Sequence, residues 1–248
     1  MMRHAIRSEW TKAITLRSVQ ITVAAGLLVP PALAVASGLA FDPHAGLNAD
    51  YPIASHGFET AGFGQPIVIL LAALVTGHEY LDGALKTSLL ATPQRGRVLG
   101  AKFILLALMS VAIAVFATAI AVVIKHAALG SNGLSPGEFT SGMAGNLLTV
   151  ALNYCLISLL AAAITVLART MIVTLVVLVP LVLGLTISLL ALLPFLKYLP
   201  DLAGIQLLTG YPEIGLLAPL PGALVMTAWT AALMVASWLA FRRRDVGS

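Results

Sequence analysis

Residue types that do chemistry are few in this chain, and their spacing mostly rules chemistry out. His78-Glu79 opens like the His-Glu-x-x-His helix of zinc proteases, but Asp82 stands where the second histidine belongs. Without two imidazoles on one helical face such a site lacks its ligands. No Gly-x-Ser-x-Gly elbow presents a nucleophile, and no Gly-x-x-x-x-Gly-Lys-Ser/Thr loop cradles phosphates. The single cysteine, Cys155, lies inside an apolar run. One thiol makes neither an intrachain disulfide nor a metal framework, so it reads as a small buried hydrophobe. No catalytic, cofactor-binding or metal-binding residue is expected, and the chain does not read as an enzyme.

The elements that would position any site are apolar to an unusual degree. Hydrophobic residues make up 59% of 248 and charged residues only 10%, with a mean hydropathy of +0.99. A soluble domain carries about 25% charged residues because its surface faces water. So little charge covers only the two ends of a bundle in lipid. Hydrocarbon admits closed helices or closed barrels. The apolar runs are near the length of a spanning helix and do not alternate with polar residues, which predicts helices.

Six runs qualify, at about 19–41, 63–77, 98–124, 147–167, 171–193 and 221–241. The second is short and must be extended by its neighbours. Pro180 is expected to kink the fifth. Threading the runs from an inner N-terminus sorts the 14 Lys and Arg residues sharply. Twelve fall inside (Arg3, Arg7, Lys12, Arg17, Lys86, Arg95, Arg97, Lys102, Arg169, Arg242, Arg243 and Arg244), and only Lys125 and Lys197 fall outside. Both termini are therefore expected in the cytoplasm of a multi-pass cell-membrane protein. Asp42, Asp50, Glu59, Glu138, Asp201 and Glu213 fall in the outer segments. A cleavable leader ending near Ala36-Ser37-Gly38 is the competing reading of the start. The long patterned region before the first run and the five runs after it argue against that reading.

Three segments are not spans. In 1–18, Ile6, Trp10, Ala13 and Ile14 share one helical face, with Arg3, Arg7 and Lys12 available to the other. Such a helix suits the membrane interface, its basic residues near anionic headgroups. Between spans two and three, Leu81, Leu85 and Leu89 recur every four residues until Pro93, which predicts a short amphipathic helix over about 79–92. An apolar ridge at the cytoplasmic face fits the groove of a partner protein. The segment 194–222 is apolar but broken by Pro194, Pro200, Pro212, Pro219 and Pro221. It reads as re-entrant, packed on the bundle, because irregular backbone at membrane depth survives only against protein or water.

These residues carry a family resemblance. Glu79-Tyr80, Gly83, Lys86-Thr87, Leu89-Leu90-Ala91-Thr92-Pro93, Arg95, Arg97-Val98-Leu99 and Ala101-Lys102 resemble the permease subunits of type-2 ABC exporters, the ABC-2 family. Ser8-Glu9-Trp10-Thr11-Lys12 and Phe241-Arg242-Arg243-Arg244-Asp245 resemble the small actinobacterial, bacteriocin-immunity and drug-efflux permeases of that group. Leu81 and Ala84 depart from the basic residue and the Thr or Ser expected there. The resemblance implies one transmembrane domain over 1–248: six spans, an interfacial helix, a cytoplasmic coupling helix and a re-entrant segment before the last span. It implies a second permease copy or homologue and a cytoplasmic ABC ATPase, which alone would hold ATP and Mg. Glu79, Tyr80, Leu81, Leu85, Lys86, Thr87, Leu89, Pro93, Arg95 and Arg97 would dock that ATPase, and Ile6, Trp10, Lys12 and Ile14 would seat the interfacial helix. Leu134-Ser135-Pro136-Gly137-Glu138 resembles an ABC ATPase signature but falls in an outer loop, away from ATP. Two alternatives stand beside an exporter of lipid, peptide or drug: an immunity or sensor membrane protein, and a secondary transporter. The second is disfavoured by spans without charge at their centres.

Overall fold

The computed structural model describes residues 2–42, 52–80, 95–209 and 215–243. Helix α1, Met2–Thr15, gives way to α2, Arg17–Leu39, through an extended Leu16. Two short 3-10 turns, Ile53–Ser55 and Phe58–Thr60, lead into α3, Ala61–Gly77, which tightens into a further 3-10 turn at His78–Tyr80. Helix α4 runs over Arg95–Ala128 and α5 over Ser141–Ala168. Helix α6, Met171–Pro180, is followed by a π-helical stretch at Leu181–Leu185 and the short α7, Thr186–Leu189. A 3-10 turn at Pro194–Tyr198, α8 at Pro200–Ile205 and the long α9, Pro219–Arg243, complete the described chain.

Six of these stretches are long and apolar enough to cross a membrane: Arg17–Leu39, Ile53–Tyr80, Gly96–Ala128, Ser141–Ala168, Met171–Leu189 and Pro219–Arg243. The second gains its length from the 3-10 turns at both of its ends. The fifth is broken rather than merely bent. Pro180 has no backbone N–H to continue the ladder, and Gly184 in the next turn adopts φ 114°, a conformation open to glycine and strained for other residues.

Helix α5 is the central post, packed against α3, α4, α6 and α9, while α2 closes the bundle against α4 and α3. Its ends are locally encoded. The Thr140 hydroxyl accepts from the Met143 N–H at the start, and Arg169 at φ 55° turns the chain out at the end. Thr170 then caps α6 by accepting from the Ile172 N–H. The buried faces meet in a core of Leu71, Leu105, Leu106, Ile157 and Leu160.

Polar side chains inside the bundle bind neighbouring helices to one another. The Gln65 amide donates to Asn153 Oδ1 at 2.8 Å, and Asn153 Nδ2 donates to the Gly204 carbonyl at 2.8 Å. The Tyr154 hydroxyl donates to the Ala61 carbonyl at 2.7 Å, Ser158 donates to Ser110 at 3.0 Å, and the Thr165 and Thr174 hydroxyls meet at 2.7 Å. Each such bond is worth about 0.6 kcal/mol on average in a membrane bundle, so their number matters more than any one of them.

The tightest packing sets a test. A Cβ on Gly64 would overlap the Tyr154 hydroxyl and stand 2.8 Å from Cζ of the same ring, whereas one on Gly145 would meet nothing. Overpacking a closed contact destabilises by about 1–3 kcal/mol. Gly64→Ala should therefore lower the thermal unfolding midpoint of the detergent-solubilised protein. Gly145→Ala should leave it unchanged or raise it slightly, since alanine is the better helix former.

Candidate functional site: a buried ion cluster

Helix α1 folds back so that Glu9 and Ala13 face the bundle, while Trp10 and Ile14 are exposed and Ile6 is half-buried. The inward face of α1 is thus built around a carboxylate. Lys102, in the second turn of α4, meets it: Nζ lies 2.5 Å from Glu9 Oε2, 3.4 Å from Glu79 Oε1 and 3.1 Å from the Val75 carbonyl. Lys12 closes the group from the rim, 2.7 Å from Glu9 Oε1 and 3.5 Å from Glu79 Oε1. Lys102 is 3% exposed, Glu9 4% and Glu79 8%. Two ammonium groups and two carboxylates therefore balance in a largely dry space between α1, the end of α3 and the start of α4.

Charge taken out of water survives only with close partners. Burial pushes the Glu9 carboxyl up, but the charge and hydrogen bonds of Lys102 and Lys12 more than offset it and hold it below its ordinary value. Burial likewise pushes Lys12 down, and its hydrogen bond and charge pairing with Glu9, aided by Glu79, leave it above its ordinary value. The arrangement has no nucleophile and no free base, so its chemistry is mechanical. It locks three elements that are far apart in sequence.

The residues singled out from the sequence fall in different places. Glu79 is inside the cluster, and Tyr80 is half-buried beside it at the end of the 3-10 turn. Leu81, Leu85, Lys86, Thr87, Leu89 and Pro93 lie outside the described residues. Arg95 and Arg97 open α4, with the Arg97 side chain exposed. Lys12 points to Glu9 and Glu79 rather than away from the bundle. Sequence reasoning missed the pairing of Glu9 with Lys102, which are 93 positions apart. A signal was present: Ser8-Glu9-Trp10-Thr11-Lys12, Glu79-Tyr80 and Ala101-Lys102 are pieces that carry the family resemblance, and the fold brings all three to one point.

Two other polar groupings stand elsewhere. Towards the opposite end of the bundle, Lys125 lies 3.4 Å from Glu59 and donates to the Ser37 hydroxyl at 2.8 Å. His56 and His126 meet edge to face beside this pair, with ring centroids 6.4 Å apart. In α8, the Asp201 carboxyl is buried against the Thr186 hydroxyl.

The chain matches the family described as ABC-2 family transporter protein over residues 5–189, three quarters of its length. It belongs to that family and is a multi-pass membrane protein, the permease component of an ABC transporter. No curated protein matches it. The matched residues include every member of the ion cluster and end before α8.

Removing one partner of a buried ion pair is destabilising by about 3–5 kcal/mol, whereas replacing the pair by apolar or neutral groups is far better tolerated. Lys102→Met should lower the unfolding midpoint strongly, and Glu9→Gln/Lys102→Met should recover much of the loss. Acid supplies an independent readout. Because folding lowers the Glu9 value, its stabilising contribution is present above the ordinary value of 4.5 and is lost as pH falls through the folded value. Unfolding midpoints measured from neutral to acid pH should fall less steeply in Glu9→Gln than in the wild type.

Proposed function

We propose that the chain is the membrane-spanning half of an ATP-driven exporter, energised by a separate ATPase that docks on the segment 79–92. The ion cluster supports this reading more than any other observation, given the family. Glu79 opens that segment and is held by Lys12 and Lys102. A displacement of 79–92 by a bound ATPase would be felt in α1 and α4 through Glu79, because separating the cluster would leave charges unpaired in a largely buried contact. The chain itself is non-catalytic and carries no cofactor; ATP and Mg belong to the ATPase. Two permease copies, or this chain and a homologue, pair with two ATPases. The small drug-efflux and bacteriocin-immunity permeases are the group whose role it shares.

In this reading the basic end of the bundle, with both termini, faces the cytoplasm of a cell-membrane protein. Exposed Trp10 and Ile14 lie in the lipid interface, and Arg3 and Arg7 face headgroups. The segment 194–222 is re-entrant from the outer side. The cargo is apolar or amphipathic: a lipid, a peptide or a drug. An open apolar groove between α3 and α6, lined by Pro66, Ile67, Leu70, Leu175, Val176 and Val179, is the surface against which such a cargo would lie.

Cysteine labelling in intact cells tests the orientation. Cysteines placed at Asp50, Gly133 and Glu213 should react with an impermeant reagent, and those at Lys86, Arg169 and Gly247 should not. Reversal at two positions would refute the topology.

Co-purification tests the coupling. Each buried leucine contributes about 1.5–3 kcal/mol to a docked contact, whereas a charge pair at an exposed rim contributes about 0–1 kcal/mol. Leu85→Asp/Leu89→Asp should therefore abolish retention of the cognate ATPase with normal membrane insertion, and Arg95→Ala should only weaken it. Wild-type retention by the double variant, or ATP hydrolysis by the purified chain alone, would overturn the assignment.

A further inference from the structure

Pro200-Asp201 is an ordinary way to begin a helix, with proline at the first position and a carboxylate in the first turn. The ordinary state of such a carboxylate is ionised and hydrated. Here it is neither at the surface nor fully partnered. Asp201 is 4% exposed, and its Oδ1 is buried with no well-aligned hydrogen-bond partner among the described residues. Its Oδ2 faces the Thr186 hydroxyl. That hydroxyl also lies 3.3 Å from the carbonyl of Leu181, in the π-helical break of the fifth span.

A hydroxyl carries one hydrogen, and here it faces two acceptors if Asp201 is ionised. A hydrogen on Asp201 Oδ2 resolves the shortage. The acid then donates to Thr186 Oγ1, and Thr186 donates to the Leu181 carbonyl. The same hydrogen removes the charge that the unpartnered Oδ1 would otherwise share in a dry space, where an unpaired carboxylate is far more costly than a neutral acid. Burial raises the Asp201 value, and it outweighs Thr186 and the N–H groups of Asp201 and Leu202, which favour the ion.

No countercharge stands close by among the described residues of the packed elements. Lys197, on the preceding 3-10 turn, lies over the Tyr198 ring at 5.4 Å. Arg242 and Arg243 occupy the far end of α9. Helix α5 carries Tyr154 and Cys155 but no charged side chain, and Leu181–Leu185 and α7 carry no titratable group.

We propose that Asp201 is a proton-binding site: its carboxyl carries a proton while α8 is seated against the broken fifth span, and releases it to water when that seating is lost. Asp201 lies beyond the residues matched to the family, whereas Thr186 and Leu181 lie within them, and the site stands independently of the ATPase assignment. It makes the junction between the fifth and sixth spans responsive to pH.

The test uses the full chain purified in detergent, as wild type and as Asp201→Asn, an isostere of the neutral acid. Infrared spectra of the wild type recorded just above the ordinary Asp value of 3.8 should contain the C=O stretch of a protonated carboxylic acid that is missing from the variant. An ionised carboxylate in its place would overturn the proposal. Unfolding midpoints give a second reading. A value raised by folding stabilises the native state at low pH, and that contribution is lost as pH rises through the folded value. The variant should therefore gain on the wild type as pH rises from the ordinary value of 3.8 through the folded value, whereas a constant difference would refute proton binding. If sodium in place of choline, at fixed pH, raises the wild-type midpoint but not the variant's, the site takes a metal cation and the proton assignment fails. Failure of the variant to fold would show that the site needs the charge, and the proton assignment would fail equally.

Discussion

A backbone in hydrocarbon must satisfy its own polar groups, and the rest of this structure follows from where that demand is met and where it is relaxed. Along the other spans long helices meet it, the second with 3-10 turns added at both ends. Prolines inside α2 and α3 remove donors, and those helices remain continuous because they pack closely on their neighbours. The fifth span relaxes the demand at Pro180 and Gly184, and it is there that a hydroxyl and a carboxyl gather around a carbonyl of the broken turn. Side-chain hydrogen bonds replace what the ladder no longer supplies.

The same economy of polar groups explains the interior. Lipid tails are as apolar as leucine, so burial does not distinguish one helix contact from another; close packing and hydrogen bonds do. Gly64 lets the Tyr154 ring lie on the α3 backbone, and Asn153 joins α3 to α8 through Gln65 and Gly204. These contacts give the bundle a particular arrangement that a set of greasy helices would not have on its own.

The ion cluster is a different kind of constraint. Four charges sum to zero, and Glu9, Glu79 and Lys102 are nearly closed to water with Lys12 at the rim, so the buried part of the group resists being drawn apart in a way that a surface salt bridge does not. Elements joined in this manner move together or separate at a substantial cost. For a permease on the proposed reading, that is a useful property at the base of the segment where an ATPase would push. It also gives α1 two distinct faces, one with Glu9 turned to the bundle and one on which Trp10 and Ile14 are exposed.

Composition and run length alone determined that the chain is helical with six runs long and apolar enough to span a membrane, because transfer to hydrocarbon acts on each residue irrespective of its neighbours. The short pieces around Glu9, Glu79 and Lys102 were legible as family features, but their meeting was not. Pairing across 93 positions is decided by how helices pack, and nothing in a local window records it. Asp201 shows the same limit more sharply. Threading could sort it only as an acidic residue of an outer segment, since hydropathy treats a carboxylate as hydrated. Only the tertiary structure decided that α8 turns it inward against Thr186, where desolvation, an effect of surroundings and not of residue type, changes what the carboxyl can do.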